Sequence, residues 1–315
     1  MWIDVPIPST AQDKKTTRRI GWLETGAPNT PEVMAAVADA FRQLGWIENQ
    51  NLHIERRYDN GHPEALPSLA AELVRARVEV IVTRSTPASL AAKSATTAIP
   101  IIFSAGDPVR SGLVASLARP GGNLSGYSAI ASEADAKSLS LLKELLPSLQ
   151  RVAFLWEQEN PFFRSHREAV EKACRSAGVQ AIFAEYGQPV GIKGAIQAAA
   201  RRGAEALLVN NGYFSWDHRF EIFSEATHLN LPTIATDGAM ARDHPGALLA
   251  YSADALEGLR VLAEYVDRVL RGAKPAELPV REPTQFDFVI NLKTARALQL
   301  TVPKALLLQA TDVID

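Results

Sequence analysis

Hydroxyl side chains and free backbone N–H groups follow two consecutive apolar strands, and they are suited to bind a polar or anionic group. One strand ends before Ser85, Thr86 and Pro87, and the next ends at Ser104. The N-terminus of a helix attracts anions, so a ligand carboxylate fits at the first three of these residues. An ordinary helix cap, with Pro87 in the first turn, explains the same residues equally well.

Amide and carboxylate side chains follow strands in the second half of the chain. Asn160, Asn211 and Asp237 each come after a predicted strand. Asp237 is suited to pair with a ligand ammonium through a charge-assisted hydrogen bond. Asn-Gly and Asp-Gly sequences also form plain turns, so both interpretations stay open. Tyr213 and Tyr251 lie near the same strand ends, where aromatic rings are candidates for a wall against an apolar or aromatic ligand.

The sequence shows no arrangement of residues that is typical of a catalytic site. The chain has no nucleotide-binding glycine motif after its first strand and no nucleophile elbow. Its six histidines do not have metal-ligand spacing with Cys174. Cys174 is interpreted as a buried small apolar residue, and Asp135 as a solvated charge rather than an acid catalyst. No catalytic residue, metal ion or cofactor is therefore expected.

The composition limits the classes of function. The chain has 315 residues, of which 47% are hydrophobic and 22% charged, which is typical of a globular protein. Its formal net charge is -2 and no basic stripe is present, so nucleic-acid binding is not expected. The apolar runs are too short to cross a bilayer.

Strands and helices alternate along the chain in two successive sets, which predicts an α/β fold with two Rossmann-like lobes, parallel sheets and a cleft between the lobes. We expect a first lobe of residues 19–128 plus 251–284 and a second lobe of residues 129–250 plus 285–315. A helix is predicted over residues 108–117, and a long crossing helix over residues 132–145. Hinges are expected near residues 128–131, 250–252 and 283–286.

The first 18 residues are polar and contain proline and basic residues, which predicts a disordered arm. No apolar stretch typical of a signal peptide precedes the first strand. Export is therefore not indicated by this segment itself.

Seven short stretches together resemble a known family. They are IGWL at 20–23, FRQLGW at 41–46, NLHIERRY at 51–58, AAKSATTAIPI at 91–101, GDPV at 106–109, RPGGNLSG at 119–126 and VINLKTA at 289–295. The sequence resembles the periplasmic substrate-binding proteins of ABC transporters, in the group that includes tryptophan- and other aromatic amino-acid-binding lipoproteins. The likeness extends over nearly everything from Arg18 to Asp315, and it is specific for the family but not for a ligand.

The resemblance implies a type I periplasmic binding protein fold that closes on a small ligand and docks membrane permease subunits. It implies a periplasmic location, and we expect a monomer. Carried over to this chain, Thr25, Gly26, the turn at 85–87 and Ser104 line the first lobe. Asn160, Asn211 and Asp237 line the second lobe. Amino-acid-binding members often carry an acid where this chain has Asn211, which weakens the case for an amino-acid ligand.

Reversible binding of an amino acid, an aromatic compound or another small carboxylate is the function we expect, without chemistry. Two alternatives remain. A ligand-sensing regulatory module would act through a partner protein, because no helix-turn-helix precedes Arg19. An enzyme of doubly wound fold, such as an isomerase, would need a poised acid and base in the cleft.

Overall fold

The computed structural model describes residues 17–130, 134–157, 160–187, 190–210 and 212–315. The expected disordered arm therefore lies outside the described residues, except for Thr17 and Arg18. Residues 131–133, where one hinge was expected to end, also lie outside them.

The first sheet has five strands, all parallel, in the order β2-β1-β3-β4-β5. Its elements are β1 (Arg18–Glu24), α1 (Pro31–Arg42), β2 (Leu52–Tyr58), α2 (Leu66–Arg75), β3 (Val80–Arg84), α3 (Thr86–Ala95), β4 (Ile101–Gly106) and β5 (Leu124–Ile130). Both faces of this sheet are covered, which explains why β3 and β4 contain continuous apolar runs, whereas the edge strand β2 alternates.

The second sheet has seven strands in the order β12-β11-β10-β9-β8-β6-β7. The elements from the crossing helix to the third strand of this sheet are α4 (Ala134–Leu145), β6 (Arg151–Glu157), α5 (Pro161–Ala177), β7 (Gln180–Tyr186), α6 (Ile192–Arg201) and β8 (Ala206–Val209). They are followed by α7 (Tyr213–Asp217), α8 (Arg219–His228), β9 (Thr233–Ala235), α9 (Gly238–Arg242) and β10 (Leu249–Ala253).

The last part of the chain serves both sheets. Its elements are α10 (Ala255–Leu270), β11 (Phe286–Asn291), α11 (Leu292–Ala297), α12 (Lys304–Gln309) and β12 (Asp312–Ile314). Helix α10 packs on the first sheet, where its apolar face joins the core cluster of Ile20 and Val82. Strand β11 returns to the second sheet beside β10. The predicted α/β fold class, with two lobes and helices on mostly parallel sheets, is confirmed.

We call the elements on the five-stranded sheet the first lobe and those on the seven-stranded sheet the second lobe. The chain passes between them after β5, after β10 and before β11. Strand β10 belongs to the second sheet up to Ala253, three residues beyond residue 250, where the expected second-lobe segment ends. An isolated bridge between Tyr127 and Arg281 ties the third passage to β5.

Two features of the secondary structure differ from the sequence prediction. Residues 108–117 form turns instead of a helix. The carboxylate of Asp107 accepts a hydrogen bond from the Arg110 N–H, and Gly112 has a φ of 75°, so the chain turns before a second helical turn can form. Strands β10 and β11 pair antiparallel, although the alternating pattern predicts parallel sheets throughout.

Strand β5 needs a glycine where it lies against β4. Gly126 has a φ of 158°, and a Cβ atom at this position would overlap the carbonyl oxygen of Phe103. The register between the two strands shifts two residues further on, at Ala105 and Gly106. The close approach brings the end of β5 to the point where the chain leaves the first lobe.

None of the helices in the described part of the chain combines the length and apolar composition that a bilayer crossing requires.

Candidate functional site

The N-terminus of helix α3 lies at the carboxyl edge of the first sheet, as predicted, and it carries a strained residue. Ser85 has φ 137° and ψ 158°, a backbone region that is essentially restricted to glycine. Its Oγ accepts a hydrogen bond from Ala88 N at 3.2 Å, and its own N–H donates to Ser104 O at 2.9 Å. Ser85 is thus the N-cap of the helix, as the capping interpretation proposed.

The next two residues leave a backbone donor available. Thr86 is buried, and its hydroxyl donates to Gly106 O at 3.3 Å. Its N–H has no acceptor among the described residues, and Pro87 has no N–H to offer. An anion placed at this helix end would therefore find the Thr86 N–H and the positive end of the helix dipole.

A buried polar network that the sequence analysis did not assign closes the ends of β1 and β3. Glu24 is only 8% exposed and accepts hydrogen bonds from Trp22 Nε1 at 2.9 Å, Asn29 Nδ2 at 2.7 Å and Arg84 Nη1 at 2.7 Å. Arg84 also donates to Asn29 Oδ1 at 3.1 Å. This network fixes the guanidinium of Arg84, the residue that precedes the strained Ser85 in the sequence.

The loop after β1 is fixed by a second carboxylate. Gly26 has a φ of 97°, and its N–H donates to Asp59 Oδ1 at 2.6 Å. Gly61 N donates to the same oxygen at 3.0 Å. Thr25, which precedes this contact, is half-buried at the same edge of the sheet. Asp59 is buried and has no basic side chain within ion-pair distance among the described residues.

Asn160 caps helix α5 on the second lobe and at the same time binds a glutamate. Its Oδ1 accepts from Phe162 N at 3.1 Å, and its Nδ2 donates to Glu157 Oε2 at 2.8 Å. Burial raises the pKa of Glu157, the hydrogen bond from Asn160 opposes this shift, and the negative charge of Asp59 adds to it. Asp59 belongs to the first lobe, so the charge of one lobe acts on a carboxylate of the other.

Asp237 follows β9 and caps helix α9, where its Oδ1 accepts from Ala239 N at 2.9 Å. Burial raises its pKa, while that hydrogen bond and the charges of Arg84 and Arg242 lower it. The charge of Arg84 in the first lobe therefore acts on this carboxylate of the second lobe.

The loop after β8 lies between these two carboxylates. Asn211 lies outside the described residues, and Tyr213 begins the short helix α7. Asn210 is 3% exposed, and its Nδ2 has no hydrogen-bond partner among the described residues. A Cβ atom on Gly212 would lie 3.9 Å from Glu157 Oε2, so the loop packs against that glutamate.

Tyr251 lies in β10, next to the second passage between the lobes. Its ring stacks on Phe286 of the antiparallel partner strand, with centroids 5.3 Å apart and an interplanar angle of 3°. Phe214 is 37% exposed and stacks on Tyr186 and on His218. Tyr251 and Phe214 therefore belong to two separate aromatic groups.

Asp135 is not a solvated charge, which corrects the sequence interpretation. It is 3% exposed, and its Oδ2 lies 2.5 Å from Nε2 of His166, which is 2% exposed. The pair joins the first turn of the crossing helix α4 to helix α5. A buried carboxylate needs such a hydrogen-bonding partner. The sequence did not reveal this pair, because the two residues are 31 positions apart.

Cys174 is buried, as expected, and burial raises the pKa of its thiol to about 12. Among the residues that the structure describes, no group of three or more His, Cys, Asp or Glu side chains is arranged to hold a metal ion.

The functional candidates that sequence analysis missed are charged residues at strand ends. Glu24, Arg84 and Glu157 each close an apolar strand, and Asp59 directly follows the polar edge strand β2. A charged residue that ends a buried parallel strand was the available signal, because the carboxyl ends of such strands form the ligand edge of the sheet. Their pairing was not readable, since Glu24 and Arg84 are 60 residues apart.

Two α/β lobes that meet over a polar cleft define a protein that holds a small ligand between domains. A family model described as "ABC transporter substrate binding protein" matches residues 27–314. The chain belongs to this family, which is one of solute-binding proteins rather than enzymes. Such proteins bind small ligands outside the cytoplasm and work with membrane permeases.

Individual relatives are similar in sequence or in fold. A tyrosine-binding protein of Clostridioides difficile (strain R20291) is 24% identical over 290 residues, which cover 91% of this chain and 83% of the relative. A conserved domain protein from Vibrio cholerae has a TM-score of 0.88 at 24% identity, over 95% of this chain and 100% of the other. An ABC domain from Streptococcus pneumonia in complex with L-Trp has a TM-score of 0.86 at 23% identity, with the same two coverages.

Proposed function

We propose that this protein captures a free amino acid in the cleft between its lobes and delivers it to an ABC permease. The ligand carboxylate binds at the N-terminus of α3, at Ser85, Thr86 and Pro87. The ligand ammonium binds Asp237. Thr25, Gly26, Ser104, Asn160, Asn211, Tyr213 and Tyr251 complete the proposed lining.

One observation supports this proposal: the N-terminus of α3, with its available Thr86 N–H, belongs to the first lobe, and the carboxylate of Asp237 belongs to the second. Arg84 directly precedes the α3 N-terminus, and its charge acts on Asp237 of the other lobe. A zwitterion matches this arrangement, because its two charged groups require a donor cluster and an acceptor at short range. Two similar proteins, a tyrosine-binding protein and a domain in complex with L-Trp, have amino-acid ligands, which agrees with this proposal.

The proposed function also implies a location, an oligomeric state and a closing motion of the lobes. The protein acts in the periplasm as a monomer, performs no chemical step and needs no cofactor. We place its lobes at residues 19–128 plus 251–284 and residues 129–250 plus 285–315, except that β5 continues the first lobe to Ile130 and β10 continues the second lobe to Ala253. The lobes close about the three passages of the chain between the sheets.

The test is isothermal titration calorimetry, with thermal unfolding alongside, against the common L-amino acids and their analogues that lack the α-amino group. A bound amino acid raises the melting temperature by mass action. Asp237→Asn weakens the binding by about tenfold or more, since a charge-assisted hydrogen bond is lost. Analogues without the amino group bind equally weakly to both proteins.

Asp39→Asn provides the matched control, because Asp39 lies in an exposed ion pair with Arg42 on helix α1, away from the cleft. The affinity of the Asp39→Asn variant for the bound amino acid should equal that of the unmodified protein. Absence of binding across the whole panel, or an unchanged affinity in Asp237→Asn, would overturn the proposal.

A further inference from the structure

The amide of Asn210 lies at the middle of the edge by which the second sheet borders the cleft. Asn210 directly follows β8, and β8 lies between β6 and β9 in the sheet. Leu155 of β6 pairs with Val209 of β8, and the Thr236 N–H donates to Val209 O at 3.0 Å, so the three strands end together. The carboxyl ends of parallel strands form the ligand edge of such a sheet, which places Asn210 in the wall of the cleft.

The backbone of Asn210 is held in place by a serine. Ser215 Oγ donates to Asn210 O at 2.7 Å and accepts from the Gly212 N–H at 2.9 Å. Ser215 and Asn210 are 2% and 3% exposed. The side chain of Asn210 therefore extends from a buried and hydrogen-bonded backbone, so its position is fixed before a ligand arrives.

The side-chain nitrogen of Asn210 differs from those of the other amides at the cleft edge. Asn29 and Asn160 each use both the oxygen and the nitrogen of their side chains in hydrogen bonds within the protein. Asn210 Nδ2 is buried and has no hydrogen-bond partner among the described residues. A buried donor without a partner is unfavourable, because it has lost its hydrogen bonds to water. A ligand that supplies an acceptor removes this cost, so the unpaired donor indicates a contact with the ligand.

The neighbours of Asn210 favour an acceptor without charge. Glu157 ends β6 on one side, and a Cβ atom on Gly212 would lie 3.9 Å from Glu157 Oε2. Asp237 follows β9 on the other side. Carboxylates on both neighbouring strand ends repel a ligand carboxylate at this place, whereas a hydroxyl or a carboxamide is neutral. Such a group also donates a hydrogen bond, which Glu157 can accept, since its one side-chain donor among the described residues is Asn160.

We propose that Asn210 binds the uncharged polar end of the ligand side chain, a hydroxyl or carboxamide oxygen, and thereby selects ligands that carry such a group. This inference rests on the proposed function, because the ligand's carboxylate and ammonium are held at the N-terminus of α3 and at Asp237. Neighbouring strands are about 4.8 Å apart, so β8 ends about one strand spacing from β9. The side chains of glutamine and tyrosine extend roughly 5–7 Å from Cα, by ordinary covalent geometry, which is enough to cross that spacing.

The first test compares amino acids that differ only in the terminal group of the side chain. L-Tyrosine is paired with L-phenylalanine for the hydroxyl, and L-glutamine with its apolar isostere L-homoleucine for the carboxamide. Calorimetry should give about tenfold or greater preference for the polar member of one pair, because the apolar member leaves the buried donor unpaired. The pair that shows the preference identifies the group that Asn210 binds. Equal affinities within both pairs would refute the inference.

The variant Asn210→Leu tests whether this residue causes the preference. Leucine is similar in size and has no donor, so the ratio of affinities within the pair should fall to about two or less. Because both affinities are measured on the same variant, the ratio does not depend on its folded fraction. A preference that survives in Asn210→Leu would contradict the assignment to this residue.

Gln180→Leu is the matched control. It also replaces a carboxamide by an apolar group in the second lobe, at an exposed residue that begins β7 at the opposite edge of the same sheet. This variant should keep the full preference for the polar amino acid. Loss of the preference in Gln180→Leu as well would show that the effect is not specific to Asn210.

The charge of the ligand group and the proposed function are tested separately. L-Glutamate should bind more weakly than L-glutamine, and tighter binding of L-glutamate would show that the selected acceptor is charged, against the inference. If L-phenylalanine and L-homoleucine bind as tightly as their polar counterparts, the proposed amino-acid function stands and the specificity is wrong. If none of the common L-amino acids binds or raises the melting temperature, both are wrong.

Discussion

At the scale of single residues, Ser85 combines an unfavourable backbone conformation with a useful side chain. A residue other than glycine in this region of φ and ψ costs about 1–3 kcal/mol. The surrounding hydrogen bonds hold it there: Oγ caps Ala88 N, and the carbonyl accepts from Ser89 Oγ at 2.6 Å. Strain of this kind concentrates where a backbone is preorganised for a ligand, which agrees with the proposed carboxylate site.

The strain at Ser85 predicts opposite effects of two small substitutions. Ser85→Ala removes the cap and keeps the strain, so it should lower the free energy of unfolding by about 1 kcal/mol. Ser85→Gly relieves the strain and should be about 2 kcal/mol more stable than Ser85→Ala, as the strain exceeds glycine's extra chain entropy. Urea denaturation measures both. An alanine variant as stable as the glycine variant would contradict the strain.

The sequence was enough to place Ser85, Asn160 and Asp237 at strand ends that border the cleft, because cap residues and strand ends are local signals. Their contacts with a ligand stay predictions. The sequence alone did not identify Glu24, Arg84, Asp59 and Glu157 as candidate functional residues. What matters at these residues is whether a partner from a distant segment neutralises the charge, and no local pattern encodes that distance.

At the scale of elements, the strands and helices with clear apolar periodicity were predicted well, including the crossing helix over 132–145, which the structure shows as Ala134–Leu145. The predicted helix at 108–117 was wrong because Asp107 bonds the chain into a turn. The direction of β11 relative to β10 was also missed, since a strand's own sequence does not specify how its neighbour runs.

The contact of β5 with β4 predicts the effect of adding one methyl group. Gly126→Ala places Cβ against the carbonyl of Phe103, so it should lower the free energy of unfolding by about 3 kcal/mol. Gly194→Ala is the control in helix α6, where the new methyl meets only Val190 Cγ1 at 3.7 Å. That variant should gain about 0.5–1 kcal/mol from the better helix propensity of alanine. Equal stabilities of the two variants would exclude the proposed close approach.

At the scale of the whole molecule, the burial of Glu157, together with the charge of Asp59 in the other lobe, links the arrangement of the lobes to pH. Burial and the negative charge of Asp59 raise the pKa of Glu157 in the structure described here. In this structure helix α3 of the first lobe also contacts helix α5 of the second. When the lobes separate, the carboxylate is solvated and its pKa returns towards the ordinary value. The closed arrangement therefore binds protons more strongly than an open one, and closure without ligand is favoured as the pH falls through the raised pKa.

This linkage can be measured by small-angle X-ray scattering of the ligand-free protein between about pH 5 and pH 8. We expect the radius of gyration to decrease towards the acidic side. Glu157→Gln should give a smaller radius at the alkaline end and a weaker dependence on pH. A larger radius at acidic pH would contradict the linkage.

The first described strand, β1, belongs to one sheet and the last, β12, to the other, while the single thiol of Cys174 is buried. Cysteines introduced at exposed positions in each lobe, such as Glu277 and Asp315, can therefore carry a donor and an acceptor dye without competition from the native thiol. The separation of the dyes then reports the closing of the lobes directly. Labelled in this way, the protein would serve as a fluorescent sensor for the solute that it captures.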